Sequence, residues 1–294
     1  SSDDMIIGRS SATQPPSYWH YHDKKLTHLF DTRPALSSHE HANTHAISLV
    51  SRDGITLNGY LTMPVRANNP PVIIKVHGGP WSRDIGSFDT PVQFLASRGY
   101  ACLQINFRGS TGYGKALTNA ARKEWGAKMI DDLADAAQWL IDQGIGTPGN
   151  IALMGRSYGG FATLCASWRY SSLFSCIIAE VPPTNLVTIL ESRPPYWQPF
   201  MSNLYQRLGH PHKDRKRLQN ISPLFNTEHI TLPLFISYGT NDARVSDEAV
   251  ERFINKISPH HQQLTVLPFA NEGHTTRRQE NLFTHYQAIE QFLS

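Results

Sequence analysis

Residues 151–160 read IALMGRSYGG, four apolar residues running into a serine with glycine two positions before it and two after. On its own a G-x-S-x-G match is a weak signal, and a serine in a glycine-rich turn can simply cap the helix that follows. The surroundings are what give it weight. Residues 151–154 have the character of a short buried strand, and residues 158–168 can continue as a helix. Strand, sharp turn and helix around a central serine make a nucleophile elbow, which holds the hydroxyl out of the sheet on a strained backbone. In that setting Gly155 and Gly159 stand where any side chain would strike the crossing strand and helix, and Gly160 lets the helix pack closely.

Working outward, similar apolar runs recur at 72–76, 101–107, 175–181, 232–238 and 264–269. They are continuous rather than alternating, as expected of parallel strands covered on both faces. Helical segments lie between them. In 127–141 Met129, Leu133, Ala136, Ala137, Leu140 and Ile141 share a face, and in 279–293 Phe283, Tyr286, Ile289, Phe292 and Leu293 do so. Before this series, AISLVSRDGITLNGYLTMP (46–64) reads as a hairpin around Asp53-Gly54. A hairpin followed by repeated strand–helix units predicts an α/β fold with a mostly parallel, doubly wound sheet and flanking helices, in one domain from 46 to 294. Residues 1–35 differ, reading as two or three short strands with no core of their own, and 36–45 read as a polar connector.

A serine nucleophile needs a base and an acid, in this fold in the chain order Ser, Asp, His. The strand at 232–238 runs into GTNDARV, whose carboxylate is Asp242, and the next strand ends in PFANEGH, bringing His274 to the same sheet edge. Sheets of this kind build their sites just beyond the strand C-termini. Ser157, Asp242 and His274 are therefore the candidate triad: the imidazole takes the serine proton and the carboxylate fixes its tautomer. An oxyanion needs donors already aimed at it. VHGGPW (76–81) supplies backbone N–H groups; Gly79 and Tyr158 are the expected pair, with Gly78 as the alternative.

Together VHGGPWSRD, QFLASRGYACLQINFRGSTGYGK, EWGAKMIDDLADAAQWL, GRSYGGFATL, GTNDARV and NEGH resemble the catalytic domain of the prolyl oligopeptidase family of serine peptidases, most closely its acylaminoacyl-peptidase-like branch. The resemblance spans about residues 46–294. It implies an α/β-hydrolase fold, hydrolysis of short peptides or N-blocked aminoacyl substrates through an acyl-enzyme, the same Ser157–Asp242–His274 triad, and no cofactor. It also implies that 181–200 line the pocket for the residue before the scissile bond, with Leu186, Val187, Tyr196 and Trp197 as apolar walls and Val245 beside them. Arg244 is a candidate for a substrate carbonyl or carboxylate, or equally for an ion pair with a neighbouring acid. Some branches carry a tyrosine where this chain has His77, so here the oxyanion rests on backbone donors. Family members usually carry an N-terminal β-propeller, and residues 1–35 are expected to be its last strands, in a C-terminal part of a longer protein.

Composition narrows the alternatives. With 294 residues, 40% hydrophobic and 17% charged, the chain can bury a substantial core, and its net charge of +3 gives no reason to expect nucleic acid or an anionic membrane as partner. No apolar run reaches membrane-spanning length and residues 1–30 lack a signal-peptide pattern, so a cytoplasmic location is the expectation. Cys102, Cys165 and Cys176 are scattered in apolar surroundings and read as free thiols. The histidine pairs at 39–41, 210–212 and 260–261 lack metal-ligand spacing, so no metal is expected. RGSTGYG (108–114) lacks the Lys-Ser/Thr of a phosphate loop and reads as a turn, while Asp131 and Asp132 read as helix-dipole partners. Two other functions fit less well: a carboxylesterase on the same fold, and a non-catalytic interaction module. Strands 1–35 present apolar faces, and self-association through them is expected.

Overall fold

The computed structural model describes residues 4–66, 68–192 and 195–294. Three strands, β1 (Met5–Arg9), β2 (Ser17–His22) and β3 (Lys25–Asp31), form a small antiparallel sheet of their own. The main sheet contains β4 (Thr44–Val50), β5 (Thr56–Thr62), β6 (Val72–Val76), β7 (Ala101–Asn106), β8 (Ile151–Arg156), β9 (Phe174–Glu180), β10 (Leu234–Gly239) and β11 (Leu264–Phe269). Its order is β11-β10-β9-β8-β6-β7-β5-β4. Strands β6 to β11 are mutually parallel; β5 runs antiparallel to β7, and β4 antiparallel to β5. This is the α/β-hydrolase arrangement. The β4–β5 hairpin turns through Gly54, whose φ of +86° is open to glycine at no steric cost.

Helices cover both faces, which explains why the central strands are apolar on alternate and intervening positions alike. On one face α3 (Lys128–Asp142), α4 (Tyr158–Arg169) and α8 (Asp247–Ile257) bury Leu133, Phe161 and Phe253 with Ile74 and Leu103. On the other, α1 (Thr90–Ser97) and α9 (Gln279–Leu293) bury Leu95 and Ile289 against Ile73 and Phe235. The remaining short helices are α2 (Lys115–Asn119), α5 (Leu186–Glu191), α6 (Met201–Arg207) and α7 (Arg215–Asn220). Helix α4 is buried from Tyr158 to Ser167 without a solvent face, as befits a helix in the centre of the molecule.

Two sequence expectations are corrected here. Phe283 does not join the core face of α9: it is 66% exposed, and His285 is buried in its place, with Nε2 3.2 Å from Ser237 Oγ. The apolar stripe of a helix tolerates one polar member when a partner is supplied, which periodicity alone does not reveal. Asp132 is not a surface partner of the helix dipole. It is fully buried, accepts the backbone N–H of Arg108 at 2.8 Å and pairs with the Arg108 guanidinium at 2.7 Å, which also reaches Asp53 at 2.8 Å. This network ties the 108–114 turn to the hairpin and to α3. Asp131 does lie in the first turn of α3, where it also pairs with Arg169 and accepts from Tyr170.

Burial also sets an acid limit on stability. His77, His261 and His285 are all held below the ordinary histidine value of 6.5, in each case mainly by desolvation; at His285 Glu180 pulls upward and Arg156 downward. The unfolded chain therefore binds protons on these rings at a pH where the folded chain does not, and folding stability falls as pH drops below about 6.5. Denaturant midpoints measured from pH 7.5 to 5 should decline over that window. Replacing His285 with phenylalanine should flatten the slope; an unchanged slope would remove His285 from the account.

Candidate active site

Ser157 sits between β8 and α4 with φ +58° and ψ −121°, a backbone conformation that L residues rarely adopt. Strain of this kind costs on the order of 1–3 kcal/mol and persists only where the surroundings over-determine it. The surroundings do so here. The Ser157 N–H donates to Glu180 O on β9 at 2.8 Å, and Arg156 pairs with the buried Glu180 carboxylate at 2.6 Å. A Cβ on Gly155 would lie 2.4 Å from the Gly159 carbonyl carbon, and one on Gly159 would lie 2.1 Å from Val76 O. The turn can close only with glycine at both positions.

Asp242 follows β10 and His274 follows β11, so the three side chains arrive from the C-terminal ends of three strands of one sheet. His274 Nδ1 stands 2.6 Å from Asp242 Oδ2, and His274 Nε2 stands 2.9 Å from Ser157 Oγ. A carboxylate oxygen only accepts, so Nδ1 carries the proton. In the neutral ring Nε2 is then the acceptor facing the serine hydroxyl. The other Asp242 oxygen accepts the backbone N–H groups of Arg244 and Val245 at 2.8 and 3.1 Å, which fixes the carboxylate in its turn.

The loop that carries His274 has its own anchor, which sequence reading missed. Glu272 is buried and accepts from the backbone N–H groups of Arg277 and Arg278 and from Asn281 Nδ2. Burial alone would raise this carboxyl group, but the hydrogen bonds from Asn281, Arg278 and Arg277 outweigh it and hold Glu272 below the usual carboxylate value. Asn241 N–H donates to Glu272 O at 2.9 Å, so the acid and base loops are joined to each other.

Gly79 and Tyr158 both border the cleft that contains Ser157 and His274. Gly79 has φ +117°, accessible to glycine, and its position leaves the loop backbone uncovered by a side chain. Gly78 also lies against the elbow: a Cβ there would stand 3.0 Å from Arg156 O and 3.5 Å from Ser157 Cβ, and its carbonyl accepts from His77 Nδ1. His77 is stacked on Phe107 and its Nε2 lies 2.9 Å from Ser110 Oγ, so this ring braces the loop beneath the cleft.

The cleft has a volume of about 650 Å³. Tyr196, Trp197 and Val245 line it, as does Arg244. Leu186 and Val187 do not: they lie on α5, buried in the core, because the helix turns their side chains inward while Ile189 faces the cleft. Arg193 and Pro194, within the 181–200 segment expected to line the pocket, lie outside the described residues. Trp81, Trp125, Phe200, Leu204 and Arg207 are further wall residues. Trp81 is the second residue beyond Gly79 and Phe200 ends the 181–200 segment, so both had a signal in the sequence; the other three come from segments whose contact with the cleft is decided only by packing.

His41 donates to Leu36 O, His261 donates to Leu232 O, and His210 Nδ1 accepts the N–H of His212. Among the described residues Asp4, His20 and His22 bring ligand-type atoms within 4.8 Å of one another on the exposed small sheet, a cluster not singled out in the sequence. Cys102 and Cys165 are buried free thiols and Cys176 is partly buried, its thiol pushed up to about 11 by burial. No helix among the described residues is long and apolar enough to cross a membrane.

A family model described as prolyl oligopeptidase family matches residues 86–294. The chain belongs to the prolyl oligopeptidase family. Among curated members, dipeptidyl aminopeptidase BIII of Pseudoxanthomonas mexicana is 40% identical over 98% of this chain and 44% of its own length. Dipeptidyl peptidase family member 6 of Caenorhabditis elegans is 34% identical over 98% of this chain and 43% of its own. The acylamino-acid-releasing enzyme of Arabidopsis thaliana is 27% identical over 74% of this chain and 29% of its own. The chain thus spans less than half the length of the curated family members it matches. Among solved structures, a puromycin-hydrolyzing peptidase of Mycobacterium tuberculosis superposes with TM-score 0.89 at 24% identity, over 98% of this chain and 45% of that one. This likeness shows the shared α/β-hydrolase fold.

Proposed function

We propose that this chain is the catalytic domain of a serine peptidase that hydrolyses short peptides or N-blocked aminoacyl substrates. The observation that carries the reading is the continuous hydrogen-bonded path from Asp242 through His274 to the hydroxyl of a serine held at a strained elbow. In the mechanism, Ser157 Oγ attacks the scissile carbonyl carbon as His274 Nε2 takes its proton. The Asp242 carboxylate stabilises the imidazolium so formed. The N–H groups of Gly79 and Tyr158 stabilise the oxyanion. The proton passes from Nε2 to the leaving amine, leaving an acyl-serine. Water, deprotonated by the same imidazole, then releases the acid and restores the serine.

A second reading is favoured by one observation, the 40% identity to a dipeptidyl aminopeptidase over nearly all of the chain. It differs only in the substrate: release of a dipeptide with a free amino terminus. Chromogenic dipeptidyl amides and N-acetyl-aminoacyl amides, compared at equal concentration, separate the two. Turnover of simple aliphatic esters with no turnover of either amide would favour a carboxylesterase, and failure of a fluorophosphonate to label Ser157 would leave only an interaction module.

The small sheet supports a further part of the proposal. Residues 1–35 (of which Ser1 to Asp3 lie outside the described residues) are read as the last strands of an N-terminal β-propeller. Ile6 is 63% and Phe30 53% exposed on this sheet, and burying such faces is worth roughly 25 cal/mol per Å². Self-association is therefore expected at high concentration. Light scattering should show a smaller particle after I6S and F30S are combined; a strictly monomeric parent chain would refute it.

A further inference from the structure

We infer that the cleft beside Ser157 selects an acidic side chain, glutamate above all, at the substrate residue that enters it. This rests on the peptidase reading above and names a substrate class within it. The walls are predominantly apolar, formed by Trp81, Trp125, Ile189, Trp197, Phe200 and Leu204, yet two guanidinium-bearing residues, Arg207 and Arg244, line the same space. No aspartate or glutamate is among the described residues that line it.

Arg207 is the decisive residue. It ends α6, its Nε donates to Asn203 Oδ1 at 2.6 Å, and its guanidinium carbon lies 5.0 Å from the centre of the Trp81 ring. Among the described residues no carboxylate forms an ion pair with it. Arg244, the other guanidinium in the cleft, likewise has no carboxylate ion pair among the described residues, so neither cation lining the cleft is neutralised by an acid of the chain. A planar cation fixed on an aromatic face keeps its remaining N–H donors in a set direction. An anion arriving in an apolar cleft meets those donors with little loss of side-chain freedom.

Trp81 also places this charge relative to the chemistry. It follows Gly79 closely in the loop, and Trp125 packs edge-on against Tyr158 at 4.5 Å, so the aromatic floor continues from the oxyanion side of Ser157 to Arg207. A side chain with apolar methylenes and an anionic end matches a cleft whose walls are largely aromatic and which carries the cations Arg207 and Arg244. Glutamate has that form; leucine or phenylalanine would leave Arg207 without a partner, and lysine or arginine would be repelled.

The test separates binding from turnover. N-acetylglutamate α-amide and N-acetylglutamine α-amide differ only in the charge of the end group, and their binding to the Ser157→Ala chain is read by calorimetry. A charge-assisted pair should favour the glutamate compound by about tenfold. The advantage should shrink at high salt, disappear in the additional Arg207→Met background and return in part with Arg207→Lys. In the chain with Ser157 intact, kcat/KM for glutamyl over glutaminyl amides should follow the same order. Equal binding of the two amides, or a preference that survives Arg207→Met, would overturn the inference. Fluorophosphonate labelling of Ser157 is read separately, so loss of the charge preference with labelling intact refutes this inference alone, whereas absent labelling refutes the peptidase reading.

Discussion

Ser157→Ala should lower turnover of a peptide amide by roughly 10⁴-fold or more while leaving the fold in place. The hydroxyl bonds to His274 Nε2, and the elbow is held by backbone and by Arg156–Glu180, so little structure depends on the oxygen. Alanine keeps the Cβ and therefore the strained φ of +58°. Ser157→Gly removes the same hydroxyl and relieves the strain, so it should be equally inactive but more stable than Ser157→Ala by about 1 kcal/mol. Active-site titration and denaturant midpoints on the pair would check both halves. Turnover near the parent rate in either variant would remove Ser157 from the mechanism. Equal midpoints would show that the turn does not store strain.

The second large effect is expected at Gly159, where the smallest side chain is already too large. Its Cβ would stand 2.1 Å from Val76 O and 3.0 Å from Val76 C. Neither atom belongs to a flexible side chain. Val76 ends β6, which is paired on one side with β7 and on the other with β8, so retreat would break ladder bonds in the middle of the sheet. Gly159→Ala should destabilise the chain by about 3 kcal/mol or more, an overpacking cost at the upper end of the usual range. Calorimetric unfolding would show a large drop in Tm or no folded protein. A midpoint within a degree of the parent would mean that α4 can shift away from β6.

How much of this could be read from the chain depended on whether the deciding interaction was local. The elbow is local: a strand, three glycines and a helix lie within 151–169. The Asp242 and His274 positions are nearly as legible, since each directly follows an apolar strand. The two errors on the cleft wall come from helix phase. Leu186 and Val187 are apolar residues in the right segment, but α5 presents Ile189 to the cleft and buries the other two. Asp132 was misread because its partner, Arg108, lies on another element, and Phe283 because a helix face defined by apolar residues alone gave no reason to admit His285. Trp125 and Arg207 carry no signal without the fold, because what makes them wall residues is the space between elements.

The position of His274 has a consequence for how the molecule fails. Its strand, β11, is the edge of the main sheet and pairs with β10 alone, while Ser157 hangs from β8 in the centre. The serine and imidazole are 117 residues apart in the chain, and the imidazole reaches its place only when β11 and the loop braced by Glu272 are docked. Edge elements open at lower free energy than central ones. Gentle heating should therefore disarm the site by fraying one border while most of the sheet is intact, and on refolding catalytic power should return last. In this architecture activity is a proofreading signal: a chain that has it has finished folding.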